Sequence, residues 1–140
     1  MQVRVTEKIL AKPEAVFNFI SNPQRLLGDL SWAKNLNQSV VNPNQYTFKI
    51  EGNKVHSTAE YRIERVSKNK LISCTLVSSQ VESSNTFQLF PDQDGTILCL
   101  SGTLKFKGIL NILKGFLPNN LNQRAKSHLF KVKQELESKK

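Results

Sequence analysis

The sequence predicts an α+β fold: a curved antiparallel sheet, two short helices near its start and one long C-terminal helix packed across it. Three observations carry that expectation. Apolar residues alternate with polar ones at a period of two through most of the stretch from Leu36 to Phe106. Two proline-led helical stretches precede this region, and a single helix-period segment, roughly Asn120 to Glu137, follows it. A sheet that is apolar on one face needs a cover, and only that last segment is long enough to supply one.

Gln2 to Leu10 reads as the first strand, with Val3, Val5 and Ile9 on one face. Lys12-Pro13-Glu14 opens a short helix, because proline suits the first helical turn and glutamate complements the N-terminal dipole. Val16, Phe17, Phe19 and Ile20 mark its buried side. Ser21-Asn22-Pro23 stops it and starts a second, Pro23 to Leu27, ended by Gly28. Six strands follow: Leu36 to Val41, Tyr46 to Glu51, Lys54 to Val66, Leu71 to Ser78, Val81 to Phe90 and Thr96 to Phe106. Their connectors are short, and Asp94-Gly95 is the clearest hairpin signal. Strands joined this tightly form an antiparallel meander.

Each strand has one apolar face, built in turn from Tyr46, Phe48 and Ile50, then Val55, Ala59, Tyr61 and Ile63. Ile72, Cys74 and Leu76 continue it, followed by Val81, Phe87 and Leu89, and by Leu98, Leu100, Leu104 and Phe106. In the last helix Asn120 stands in N-cap position, with Gln123 three residues on. At 100° per residue Leu121, Ala125, Leu129, Val132 and Leu136 share roughly an 80° arc, while Phe130 points away from it.

A length of 140 residues fits one domain spanning the whole chain. The apolar runs fall far short of the roughly 20 residues a membrane helix needs. The first residues carry no export signal, so the cytoplasm is the expected compartment. Cys74 and Cys99 lie in separate strands, away from His56 and His128, and read as buried reduced thiols rather than a metal site. The net charge of +9 is concentrated at the C-terminal end, where nine Lys and Arg from Ser101 onward face only Glu135 and Glu137. Such a surface suits solvent or transient contact with an anionic membrane. It lacks the basic–aromatic interleaving of single-strand binders and any reading helix, so no specific nucleic acid is expected.

Ala11-Lys12-Pro13-Glu14-Ala15-Val16-Phe17-Asn18-Phe19-Ile20-Ser21-Asn22-Pro23 near the start, Asp94-Gly95-Thr96 before the last strand and Leu129-Phe130-Lys131-Val132-Lys133-Gln134-Glu135-Leu136-Glu137 in the last helix resemble the START-like helix-grip superfamily. Gly102-Thr103-Leu104-Lys105-Phe106-Lys107-Gly108 adds to the likeness, which spans nearly the whole chain. Relatives there include the birch-pollen-allergen type and small polyketide-cyclase-like proteins, and this chain looks most similar to the small archaeal START-like fatty-acid carrier group. The resemblance implies a hydrophobic cavity enclosed between sheet and long helix, holding a long-chain apolar ligand such as a fatty acid, with no cofactor.

The expected cavity wall is Phe48, Ile50, Ala59, Ile63, Cys74, Leu76, Phe87, Leu89, Leu98 and Leu100 from the sheet. The long helix adds Leu121, Ala125, Leu129 and Val132. Gly108 to Leu117 reads as a further amphipathic helix, broken from the main one by Pro118. It could serve as core packing, a flap over the cavity or a dimer contact, and as a flap would add Ile109, Ile112, Leu113, Phe116 and Leu117. For an acidic head group the candidates are Arg124 and His128, which border the helix's apolar arc, and Tyr61, which carries a phenol in the inward phase. Ser57, Ser83, Asn85 and Gln38 share that phase, where a polar group needs a partner, water or ligand. His56 lies in the opposite phase, toward solvent.

Phosphate-binding glycine loops, nucleophile elbows and HExxH motifs are absent from the sequence. The expectation is therefore a binding protein, monomeric or weakly dimeric, with a small cyclase- or dehydrase-like enzyme on a polyketide- or isoprenoid-like substrate as the alternative. That alternative requires a titratable side chain buried beside the ligand.

Overall fold

In the computed structural model, residues 2–27, 33–52, 55–78, 81–106 and 121–138 are described. The chain forms β1 (Gln2–Ile9), α1 (Pro13–Ile20), α2 (Pro23–Leu27), β2 (Ala33–Gln38), β3 (Gln45–Gly52), β4 (Val55–Ser67), β5 (Leu71–Val77), β6 (Val81–Asp92), β7 (Gly95–Phe106) and α3 (Leu121–Glu137). The Gly108–Leu117 segment, Pro118 and Asn120 lie outside the described residues.

All seven strands form one curved antiparallel sheet in the order β1-β7-β6-β5-β4-β3-β2. From β2 to β7 it is the expected meander, and β1 then pairs with β7, so that the first strand closes on the last. The register carries apolar residues across the sheet in rows. One row runs Phe48, Ala59 on β3 and β4; another runs Ile72, Phe87, Leu100, Val5 from β5 through β1. Their side chains make the concave face and are buried. At one end of the sheet Ile9, Ile72, Thr96 and Leu98 are fully buried, beneath α1, which packs on β6 and β7. The Thr96 hydroxyl donates to the Ala11 carbonyl at 2.7 Å, tying the start of β7 to the chain entering α1.

Pro13 stands at the start of α1 as the sequence implied, and Asn22 caps α2 by accepting from Gln24 N at 3.0 Å. The Arg25 guanidinium sits 4.5 Å from the Phe19 ring centre and covers it.

β2 departs from the expected Leu36 to Val41: it begins at Ala33 and ends at Gln38. The alternation in the sequence misled because the chain turns instead. Ser39 Oγ accepts from Val41 N and Asn42 N, and Asn42 Oδ1 accepts from Asn44 N. That network leaves Val40 and Val41 exposed. β2 also carries an irregularity between Lys34 and Asn37, where Asn35 adopts φ 56°. A second irregularity interrupts β4 between Ile63 and Arg65.

The Asp94-Gly95 signal marks a hairpin, but for another reason than turn handedness. Asp92 pairs with Gly95, which leaves Gln93 and Asp94 as the loop, and neither has the positive φ of a type I′ turn. Glycine is needed at 95 because a Cβ there would lie 2.1 Å from the Ile9 carbonyl oxygen. Gly102 is constrained likewise: a Cβ would meet Asn85 Oδ1 at 2.3 Å and the Ser84 carbonyl oxygen at 2.5 Å.

The long helix α3 buries Leu129 and Val132, with Ala125 and Leu136 partly buried beside them, on the arc the helical wheel marks. Its backbone packs against β1 and, more lightly, α1. A polar stripe beside the arc fixes it there. Asn122 Oδ1 accepts from Arg4 N at 3.2 Å, and Lys126 Nζ donates to Thr6 O at 3.3 Å. Lys133 Nζ donates to Lys8 O at 2.8 Å, and Glu137 Oε2 accepts from Leu10 N at 2.9 Å. Lys133 and Glu137 are themselves paired at 2.9 Å.

Two testable consequences follow from this packing. Glu137→Ala should cost about 1–2 kcal/mol by leaving the Leu10 amide without its acceptor and Lys133 with the Lys8 carbonyl alone; the urea midpoint should fall at unchanged m-value, and an unmoved midpoint would show the Glu137 bonds to be inert. Gly102→Ala should cost about 1–3 kcal/mol through overpacking. An Asn85→Ala background should relieve only part of that loss, because the Ser84 carbonyl remains in the way.

Candidate functional site

The concave face is the candidate ligand surface. Phe48, Ala59, Cys74, Leu76, Phe87, Leu89, Leu98 and Leu100 are buried on it in one hydrophobic cluster with Leu129 and Val132 of α3. Ile63 and Ala125 are partly buried against the same cluster. The side chains of Ile50 and Leu121 lie outside the described residues, as do Ile109, Ile112, Leu113, Phe116 and Leu117.

The three head-group candidates fall in different places. Tyr61 lies mid-sheet, 4% exposed, opposite Tyr46 on β3 and Leu76 on β5. Burial pushes its phenol well above the ordinary value of 10, and a hydrogen bond to Cys74 acts in the same direction. Burial also raises the Cys74 thiol, opposed by the bond from Tyr61. The pair is therefore a neutral phenol beside a neutral thiol. His128 lies on the flank of α3 that faces α2, its Nε2 2.9 Å from the Leu26 carbonyl oxygen. This contact joins the long helix to the end of α2. Arg124, one turn before it, is exposed.

Ser83 and Asn85 of β6 add a polar pair on the apolar face. Cα partners place Asn85 between Cys74 and Gly102, and Ser83 between Leu76 and Leu104. Asn85 Nδ2 lies 3.2 Å from Ser83 Oγ, with the amide folded over the space left by Gly102. Val3, Ser83, Asn85, Gly102 and Leu104 are all partly exposed, in contrast to the sealed end beneath α1. Glycine inside a strand marks a close approach, and here the close neighbour of Gly102 is the Asn85 amide.

Gln38 is exposed and donates to the Pro43 carbonyl within its own turn. The side chains of His56 and Ser57 lie outside the described residues. Cys99 is a free, buried thiol, in the phase opposite Leu98 and Leu100. Phe130 is 47% exposed and lines a shallow groove with Val5 and Glu7 of β1. Among the described residues no group of three or more His, Cys, Asp or Glu is placed to hold a metal, and no helix is long and apolar enough to cross a membrane.

The phenol's burial has a consequence at high pH. Its folded pKa lies above the unfolded one, so the unfolded chain loses that proton first and stability falls as pH rises past 10. Ionisation of Tyr61, read as tyrosinate absorbance, should coincide with unfolding. Tyr61→Phe should remove the rise that accompanies unfolding, and ionisation of Tyr61 in the folded protein would contradict the assignment.

No protein-family model and no curated protein matches the chain. Solved structures do match over nearly its whole length. A conserved protein from Geobacillus kaustophilus aligns with TM-score 0.82 at 12% identity, covering 99% of this chain and 96% of its own. A START superfamily protein from Mycobacterium smegmatis aligns with TM-score 0.71 at 16% identity, covering 99% of both chains. Ara h 8.0201 aligns with TM-score 0.67 at 12% identity, covering 99% of this chain and 95% of its own. The chain has the START-like helix-grip fold.

Proposed function

We propose that the protein is a non-enzymatic carrier of a long-chain apolar ligand, a fatty acid or a related lipid, held between the concave face and α3. One observation carries this reading. The apolar face extends from β1 to β3, whereas α3 is fastened along the β1 edge rather than laid on the middle of the sheet. Such an arrangement supports a ligand space over the central strands. The fold likeness is consistent with it but leaves function to the site.

The alternative, a small cyclase-like enzyme, needs a group that can take a proton beside the ligand. Tyr61 and Cys74 are the buried titratable pair, and both are held in their protonated forms. They suit hydrogen bonding better than base catalysis. The basic surface, including exposed Lys105, Lys126 and Lys131, suits transient contact with an anionic membrane during ligand exchange, by a monomer or weak dimer in the cytoplasm.

Saturated fatty acids of eight to eighteen carbons, titrated into delipidated protein at about pH 5, should bind about fourfold more tightly per added CH₂ until the space is filled. Affinity that is flat with chain length would sink the carrier reading.

A further inference from the structure

Among the described residues the concave face carries a polar pair at Ser83 and Asn85, and that place is partly open. Ser83 and Asn85 hydrogen-bond to each other, and among the described residues neither side chain has a second hydrogen-bond partner. With Asn85 Nδ2 donating, the Ser83 hydroxyl proton remains to donate and Asn85 Oδ1 remains to accept. If the amide were turned over, its N–H groups would donate and Ser83 Oγ would accept. Either way the pair offers at least one donor and at least one acceptor, all uncharged. A side chain at Gly102 would fill the space the amide occupies.

The surroundings reinforce that neutrality. Cys74, Leu76, Leu104 and Val3 flank the pair in register. The sheet's cations take the other phase: Arg4, Lys8, Lys49, Arg62 and Lys105 alternate with inward residues, and all are exposed. An ionised head group brought to Asn85 would lose its water with no cation opposite among the described residues, a heavy cost. A group that both gives and takes a hydrogen bond would satisfy the pair at no charge.

We infer that Ser83 and Asn85, seated over Gly102, bind the polar end of the carried ligand, and that this end is an uncharged donor–acceptor group, a hydroxyl or an undissociated carboxyl. The inference rests on the carrier reading and narrows it: an aliphatic alcohol satisfies the site at any pH, a fatty acid only while it holds its proton.

The test displaces a neutral fluorescent probe, N-phenyl-1-naphthylamine, with dodecan-1-ol, dodecanoic acid or dodecane. The alcohol should bind equally well in mildly acidic and mildly alkaline buffer, while the acid should weaken about tenfold per pH unit above its own pKa. Ser83→Ala and Asn85→Leu should each weaken the alcohol about tenfold and leave dodecane and the probe unchanged; retained probe binding shows that the variants fold. An acid that binds more tightly than the alcohol in alkaline buffer overturns the inference, as does an alcohol affinity that neither substitution moves. In both cases all three chains still displace the probe, so the carrier reading stands. If none displaces it, the carrier reading falls and takes this one with it.

Discussion

The structure depends on the open edge of β1. As the first strand of the sheet order, β1 gives one set of backbone groups to β7 and leaves the other set, on Arg4, Thr6, Lys8 and Leu10, without a strand to bond. Unpaired edges invite another chain and leave polar groups unmet. Here a helix covers the edge. Two strand residues advance about 6.7 Å and four helix residues about 6 Å, so side chains spaced in helical steps can meet alternate residues of a parallel strand. Asn122, Lys126, Lys133 and Glu137 do so over about 20 Å, meeting Arg4, Thr6, Lys8 and Leu10 in order.

That registration decides where everything else on the helix points. With the polar stripe on β1, the neighbouring arc of Leu129 and Val132 turns into the core, and the flank beyond it brings His128 to the Leu26 carbonyl. The helix is thus held on both flanks, by the sheet edge and by α2. Its apolar arc alone would not fix its position along β1, because hydrophobic contact is non-directional. Each edge bond contributes only about 0.5–1.5 kcal/mol net. Together they select one placement among several that would bury the same apolar area.

Period-two alternation was enough to place six of the seven strands and the order of elements, because a strand buried on one face alternates along its whole length. It failed at Val40 and Val41, where two β-branched residues continue the pattern but Ser39 and Asn42 bond the backbone into a turn. Local side-chain competition of that kind is invisible to a hydrophobic pattern. The wheel identified the buried arc of α3, including Leu129 and Val132, yet it says nothing of the polar stripe beside it. Its meaning needed the partner strand. The head-group candidates show the same boundary: sequence phase brought Tyr61 inward, but could not tell that His128 would meet a carbonyl or that Asn85 would find room over Gly102.

A helix held on both flanks makes a poor lid. Lifting it would break the bonds to β1 and to Leu26 and expose Leu129 and Val132, at about 1.5–3 kcal/mol for each side chain. The end of the sheet beneath α1 is closed more firmly still, with Ile9, Ile72, Thr96 and Leu98 all at 0% exposure. Access to the concave face is cheapest where its residues are already partly exposed, along Val3, Gly102, Leu104, Ser83 and Asn85. An apolar chain entering there would pass inward toward Phe87 and Leu100 and leave its polar end at the threshold, beside the Ser83–Asn85 pair. The geometry that clamps the helix would therefore also orient such a chain: tail toward the sealed end, polar group toward the open one.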